Sequence, residues 1–152
     1  VLITRFFNTV GPGQRGRWGM VLPRFIRQAI AGNPLRVHGD GLQERCFIDV
    51  RDVAPMLPRL LGDELAHGTV LNVGNDQSIS ILALAELVIE TLGSSSIIEH
   101  VDVADDYGRP IEDLRNRVPD LTRMRKFLPN PPAHNLHSTI LATADAIRGR
   151  AS

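Results

Sequence analysis

The sequence is poor in several residue types that mark particular classes of protein. Its 152 residues include one cysteine, Cys46, so no disulfide can form within the chain, which is typical of a protein of the reducing cytoplasm. Aromatic residues make up only 5%, and 17 basic residues are balanced by 17 acidic ones. A nucleic-acid surface needs a basic excess and stacking aromatics, so this composition argues against a nucleic-acid partner.

Long apolar runs are also missing. No stretch approaches the length of a membrane-spanning helix, and no basic segment followed by an apolar one opens the chain as in a signal peptide. We therefore expect no membrane partner. The chain is strand-like from Val1 onward, which leads us to expect a piece or remnant of a longer protein. Four histidines show no metal-ligand spacing and are predicted to be surface residues without a metal: His67, His100, His134 and His137.

The elements that are present alternate, which predicts an α/β fold. Strands are predicted at 1–7, 35–38, 45–48, 69–73 and 97–103. Helices are predicted at 20–31, from 49 onward, at 81–92, at 120–128 and at 136–148. Asp49 and Ser80 are the expected N-caps of two of them. Because Pro55 and Pro58 each remove a helical hydrogen bond, the helix after Asp49 should be kinked or short.

Residues Gly11 to Gly16 satisfy the pattern G-x-G-x-x-G, after a strand and before a helix. A dinucleotide-binding loop has this pattern, but three details argue against it. Pro12 removes an N–H group that the phosphate would need, the helix does not open at Gly16, and the next acidic residue, Asp40, lies too far along the chain. We interpret the segment as a glycine-rich turn.

Longer motifs are more informative. Arg5 to Gln14 resembles the segment R-x-F-N-x-Y-G-P-x-Q of nucleotide-sugar epimerases and dehydratases. Val21 to Phe25 resembles their V-I-P-x-F helix start, and Asn33 to Gly41 their P-L-x-V-Y/F-G-D-G turn. Gln43 to Val53 resembles Q-x-R-D-F-I-x-V-x-D-V. Two later blocks, 71–81 and 117–123, resemble Y-N-I-G…I-S-V and R-x-x-D-x-S-K.

These six blocks, in order, identify the chain as similar to the extended short-chain dehydrogenase/reductase family of NAD-dependent nucleotide-sugar epimerases and dehydratases. The resemblance implies the C-terminal half of a Rossmann-like fold, namely its last parallel strands and a small mixed α/β substrate-binding domain. Residues 1–152 would then be the part that binds a UDP- or dTDP-sugar. The N-terminal portion that binds NAD in the complete enzyme is expected to be absent, and a homo-oligomer is possible.

The family's catalytic Tyr-x-x-x-Lys pair has no counterpart in this sequence. The only tyrosine, Tyr107, is followed four residues later by Ile111 rather than lysine. No catalytic residue is therefore predicted, and the chain alone is expected to be inactive. The alternative is a non-catalytic, truncated paralogue that acts as a nucleotide-binding or oligomerising module.

The resemblance also implies binding roles. Arg45 and Arg109 match arginines that contact the diphosphate, and Arg117 or Arg115 could replace Arg109. Asn8 matches an asparagine that binds the same group. For Arg45 and Arg109 the alternative is a solvated surface arginine, and for Asn8 a turn residue.

Further positions match other parts of the ligand site. Met20 and Val21 match a helix start that faces the sugar nucleotide, and the strand residues Arg36, Val37 and His38 match the segment along the base. Phe7 matches a wall beside the nicotinamide of NAD, although a core phenylalanine is an equal alternative. Cys46 replaces the aspartate that the family usually has next to the arginine.

Overall fold

A computed structural model describes residues 1–14, 20–102 and 115–149, and strands alternate with helices throughout these ranges. The strands are β1 Ile3–Phe6, β2 Thr9–Val10, β3 Leu35–His38, β4 Glu44–Cys46, β5 Ile48–Asp49, β6 Val70–Val73, β7 Ser78–Ser80, β8 Ile98–Val101 and β9 Asn116–Arg117. The helices are α1 Val21–Ile30, α2 Val50–Gly62, α3 Ile81–Leu92, α4 Thr122–Phe127 and α5 Leu136–Arg148, with a short 3₁₀ helix at Glu64–Ala66. The predicted α/β class is confirmed.

Parallel pairing dominates the strands. β1 pairs with β6, β2 with β5 and β3 with β8, all in parallel. β4 lies between β7, which is antiparallel to it, and β9, which is parallel. Parallel pairs need long crossovers, and helices supply them here, so the chain has the connectivity of a Rossmann-like fold with a small mixed sheet.

One predicted strand is followed at once by a second, unpredicted one, and another is interrupted. The first ends at Phe6, and after Asn8, whose φ is +39°, the backbone resumes as β2. The strand predicted at 45–48 divides at Phe47, because β4 and β5 pair with different partners. Each break redirects the chain from one small sheet to another, which local strand propensity does not encode.

Helix α2, predicted to be kinked or short, excludes the second of these alternatives. It runs for 13 residues despite Pro55 and Pro58, so it is not short. Both prolines lie on the exposed side of the helix, where water can replace the lost hydrogen bonds. The buried side carries Val53, Met56 and Leu60, and their packing holds the helix in place.

The capping predictions are confirmed. The side chain of Asp49 accepts from the N–H of Arg51 at the start of α2. The hydroxyl of Ser80 accepts from the N–H of Ala83 at the start of α3, and Gly93 ends that helix in the left-handed conformation, with φ +58°.

Two apolar clusters form the core. The first joins α1, α3, α5 and β3 around Leu22, Phe25 and Ile26, which have no exposed surface. The second packs α2 and α4 against β6. Burial of each such side chain stabilises the fold by about 1.5–3 kcal/mol. Among the helices of the described ranges, none has the length and apolarity to span a membrane.

Candidate functional site

The carboxyl ends of β1 and β6 lie side by side, since Phe6 and Val73 are the last paired residues of two parallel strands. Phe7 and Gly74 follow them. Phe7 donates its N–H to the carbonyl of Val73 at 2.9 Å, and a Cβ placed on Gly74 would lie 3.0 Å from the Cβ of Phe7. Ligands of open α/β sheets bind beyond the carboxyl ends of strands, so Phe7 and Gly74 stand at the place where such a ligand is expected.

Asn8 connects this strand end to β4 and β5. Its side-chain amide donates to the carbonyl of Cys46 at 2.7 Å, and its own carbonyl accepts from the N–H of Ile48 at 3.3 Å. Its positive φ fits the turn interpretation, because asparagine tolerates the left-handed region. The amide nitrogen is therefore engaged by the protein, and the predicted contact of Asn8 with a diphosphate stays a prediction.

Arg45 and Arg117 occupy neighbouring strands in register. They are Cα partners in the parallel pair of β4 and β9, so both side chains project from the same face of that sheet. Arg45 is only 8% exposed, and its guanidinium donates to the carbonyl of Glu44 at 2.6 Å. Arg45 is thus not the solvated surface arginine that the alternative interpretation required, whereas Arg117 is exposed.

More charge surrounds this pair. Arg115 lies two residues before Arg117, and its guanidinium is 3.7 Å from the carboxylate of Asp40. Glu44 accepts a hydrogen bond from the hydroxyl of Ser78. Asp40 and Glu44 thus accompany Arg45, Arg115 and Arg117 around β4 and β9.

The predicted base-binding strand is β3, which pairs with β8. The side chain of Val37 is fully buried in the core, so only its backbone could contact a ligand, and its place along the base stays a prediction. Arg36 and His38 point to the opposite, partly exposed side. The guanidinium of Arg24 joins them, with contacts to the His38 ring at 3.3 Å and the Arg36 carbonyl at 3.0 Å.

The remaining predicted residues are divided between surface, core and undescribed chain. Met20 is 45% exposed at the start of α1, and its sulfur lies 2.8 Å from the side-chain nitrogen of Gln14. Val21 is partly buried against the first core cluster. Arg109 lies outside the described residues, as does Gly16 of the glycine-rich turn.

A separate cavity of about 630 Å³ lies between β5, the loop after β6, α4 and the start of α5. None of the described residues predicted to bind a nucleotide-sugar lines it. Its walls combine apolar side chains such as Leu87 and Met124 with polar ones, among them Asn75, His134 and Asn135.

Asp49 is a charged residue at the wall of this cavity, and its side chain has no exposed surface. Its carboxylate accepts from the Arg51 guanidinium at 2.7 Å and 3.0 Å and from the Thr139 hydroxyl at 2.7 Å. Burial alone would raise the pKa of Asp49, but the hydrogen bonds from Arg51 and Thr139 outweigh it and hold this pKa below its usual value. The same carboxylate raises the pKa of Arg51.

Asp52 and His134 form a second pair at the cavity, so His134, predicted to be a surface residue, is partly exposed and paired. The His134 Nδ1 lies 2.8 Å from the Asp52 carboxylate, and its side chain is 32% exposed. Asp52 also accepts from the N–H groups of Ala133 and His134 at 3.1 Å. Sequence reasoning missed this pair because its members are far apart in the chain; the only local signal was an acidic residue in the first turn of α2.

Metal ligands and the cysteine thiol are the remaining reactive groups. In the ranges that the structure describes, no cluster of three histidine, cysteine or acidic side chains could hold a metal ion. Cys46 is buried, and burial, with Asp76 and Glu44 nearby, raises the pKa of its thiol. A raised pKa keeps the thiol protonated and unreactive.

Comparison with known proteins identifies relatives. Residues 1–74 match the NAD dependent epimerase/dehydratase family. A UDP-N-acetyl-alpha-D-glucosaminuronate decarboxylase of Bacillus cytotoxicus is 38% identical over 134 residues, which cover 86% of this chain and 41% of that protein. UDP-glucuronic acid decarboxylase 4 of Arabidopsis thaliana is 37% identical over 128 residues, covering 84% of this chain and 27% of the plant protein.

A solved structure is similar over nearly the whole chain. The UDP-glucuronic acid 4-epimerase from Bacillus cereus, in complex with UDP-glucuronic acid and NAD, superposes with a TM-score of 0.83 at 25% identity. The match covers 98% of this chain and 45% of the epimerase. The chain thus spans less than half the length of the relatives that it matches. With its six motifs, its parallel strands and these relatives, the chain belongs to the extended short-chain dehydrogenase/reductases of the NAD-dependent epimerase/dehydratase family.

Proposed function

We propose that this chain forms the part of an NAD-dependent nucleotide-sugar epimerase, dehydratase or decarboxylase that binds the sugar nucleotide. The observation that carries the proposal is the in-register pair of Arg45 and Arg117 on β4 and β9. Guanidinium groups are the donors best suited to a diphosphate, because each offers a fork of N–H groups to the phosphate oxygens. Asn8 donates its side-chain amide to the carbonyl of Cys46, the residue that follows Arg45.

The relatives support a UDP-linked uronic acid as the substrate class. Both decarboxylases and the Bacillus cereus epimerase carry names that refer to a UDP-sugar with a carboxylate. We therefore propose UDP-glucuronic acid as the first ligand to test, ahead of neutral UDP-hexoses and dTDP-sugars.

The proposed division of labour follows from the residues present. NAD, when bound in the complete enzyme, supplies the acceptor for a hydride from the sugar. Phe7, packed against Gly74 at the carboxyl end of β1, fits the role of one apolar wall for the nicotinamide. Arg45 and Arg117 hold and orient the diphosphate. Because the sequence has no Tyr-x-x-x-Lys pair, the proton transfers belong to residues outside it. A single, buried cysteine agrees with a cytoplasmic location, which we also propose.

Titration calorimetry with UDP, uridine and UDP-glucuronic acid tests the proposal. The expected order of affinity is UDP-glucuronic acid, then UDP, then uridine, since uridine lacks the diphosphate that the arginines would meet. Equal affinities for UDP and uridine would contradict a role of the arginine pair, and no binding of any of the three would contradict the nucleotide-sugar function.

A non-catalytic nucleotide-binding or oligomerising module is the second candidate, and exposed apolar residues on and just before β1 favour its oligomerising form. Val1, Ile3 and Phe6 are 97%, 52% and 50% exposed. The encoding reading frame, compared with the intact mass of the protein, separates the two candidates. A Tyr-x-x-x-Lys pair encoded upstream supports the enzyme, whereas a start codon directly before Val1 supports the module.

A further inference from the structure

The cavity of about 630 Å³ has a size typical of small-molecule sites, which measure roughly 300–1,000 Å³. None of the residues assigned to the nucleotide-sugar that the structure describes lines it, although Gly74, at the carboxyl end of β6, does. The polar groups at its walls indicate the chemistry of a ligand that would fit it.

Charge at the cavity is internally balanced. The carboxylate of Asp49 is matched by Arg51 and Thr139, and the carboxylate of Asp76 lies 2.6 Å from the guanidinium of Arg125. A charged ligand would have to compete with one of these pairs. A neutral ligand would not.

Two amide side chains at the walls offer hydrogen-bond donors. The Oδ1 of Asn75 accepts from the N–H of Gln77, and the Oδ1 of Asn135 accepts from the N–H of Ser138, both at about 3.0 Å. Their oxygens are thus held by the backbone. Within residues 1–14, 20–102 and 115–149, no group bonds to the Nδ2 of either asparagine, so each has two N–H donors left for a ligand.

His134 offers a ring nitrogen. Asp52 accepts two backbone N–H groups as well as the His134 Nδ1, and an ionised carboxylate can only accept. Nδ1 therefore carries the proton of this hydrogen bond, and Nε2 has no partner in the described part of the chain.

We propose that this cavity is a second binding site, for a neutral polyhydroxylated ring such as a free sugar or a cyclic polyol. Such a ring accepts hydrogen bonds from Asn75 and Asn135 and places a hydroxyl against Nε2 of His134, while its C–H face packs on the apolar walls formed by Leu87 and Met124. A hydroxyl both donates and accepts, so it fits the two amide donors and the ring nitrogen.

The test uses D-glucose and myo-inositol as probes, followed by ¹H–¹⁵N NMR of the side-chain amides. We expect saturable shifts of the Asn75 and Asn135 amide signals, with a dissociation constant on the order of millimolar for a ligand of this size. UDP, added at saturation, should leave these shifts unchanged, because it would occupy the arginine pair instead.

Asn75→Asp keeps the oxygen that accepts from Gln77 and removes the N–H donors, so it should weaken glucose binding by about tenfold, the usual worth of one hydrogen bond. Asn33→Asp, in the exposed turn after α1, is the matched control and should leave binding unchanged. If Asn75→Asp does not fold, His134→Gln takes its place, with the exposed His137→Gln as control.

The proposal would be overturned if neither glucose nor myo-inositol gave saturable shifts. It would also be overturned if the variant, Asn75→Asp or His134→Gln, bound glucose as tightly as its control. Displacement of glucose by UDP would also overturn it, because the cavity would then belong to the nucleotide-sugar site. The nucleotide-sugar function is tested separately, by the affinity for UDP itself, so failure of one proposal leaves the other distinguishable.

Discussion

Arg45 and Arg117 are direct neighbours across the parallel strands β4 and β9, so two like charges lie side by side on one face of a sheet. Like charges opposite each other on neighbouring strands destabilise a sheet. We propose that a diphosphate lies against both groups, since an anion there would offset this repulsion.

Substitution of Arg45 should therefore weaken nucleotide binding. Arg45→Ala is expected to reduce the affinity for UDP by about 1.5–3 kcal/mol, the worth of a hydrogen bond to a charged group. Arg45→Lys should recover only part of this loss, because a single ammonium replaces a two-pronged guanidinium. Titration calorimetry measures both variants, in the complete enzyme if the 152-residue chain binds too weakly.

Bare pyrophosphate provides a control for this prediction. It lacks the base and ribose, so the Arg45→Ala effect should persist with it. Equal UDP affinity for Arg45→Ala and wild type would place Arg45 among the arginines with a purely structural role.

Asp49 should make the stability of the fold depend on pH. Its pKa is lowered in the folded chain, so the ionised carboxylate stabilises the fold at all pH values above its unfolded pKa of about 3.9. This stabilisation is lost as the pH falls through the lower, folded pKa. Asp49→Asn should reduce the free energy of unfolding at neutral pH by about 2–3 kcal/mol, and by less in acid, where the wild-type carboxylate is protonated.

Urea denaturation across the acid range measures this difference. Asp145→Asn is the matched control, since that carboxylate is 77% exposed beside Arg148 and should contribute little. If the difference in the free energy of unfolding between Asp49→Asn and wild type did not change with pH, the charge of the Asp49 carboxylate would not be the source of its stabilising effect.

Catalysis by the 152-residue chain alone is not expected. The motif that carries proton transfer in the family has no match in this sequence, whose only tyrosine is Tyr107. The purified chain, supplied with NAD and UDP- or dTDP-sugars, should give no epimerase, dehydratase or decarboxylase product above a heat-inactivated control. Turnover above that control would contradict the assignment of the proton transfers to residues outside this sequence.

The exposed edge of β1 should promote self-association. Within the described residues, β1 pairs only with β6, and Ile3 and Phe6 are half exposed beside the free edge. Such an edge is a template for pairing with another strand. We expect oligomers at high protein concentration in light scattering, and Ile3→Lys should shift them toward the monomer.

Leu141→Lys, on the partly exposed side of α5, serves as the control and should leave the oligomers unchanged. A well-ordered monomer of the wild-type chain at every concentration tested would rule out this role of the edge.

Local signals predicted the helices better than the connections between strands. Ser80 and Gly93 delimit α3 within the sequence itself, and the structure places both caps as expected. The division of the predicted strand at Phe47 was not visible, because β4 and β5 are separated only by their choice of distant partners. Pro55 and Pro58 did not shorten α2 for a related reason, since the packing of this helix outweighs the low helix propensity of two prolines.

The candidate site shows the same contrast. Family motifs pointed to Arg45 and Arg117. That these two residues are paired on adjacent strands could not be predicted, because the pairing depends on the tertiary structure of the residues between them. The contact of His134 with Asp52 carried no sequence signal, because a hydrogen bond between α2 and the segment before α5 leaves no local pattern.

The bond between Asp49 and Thr139 also bears on how the chain folds. It joins residues 90 positions apart, and the contact of Asp52 with His134 joins residues 82 apart. Contacts of this separation form slowly, because a long loop must close before they contribute. Docking of α5 should therefore come late, so that Thr139→Val accelerates unfolding while leaving the folding rate nearly unchanged in stopped-flow measurements.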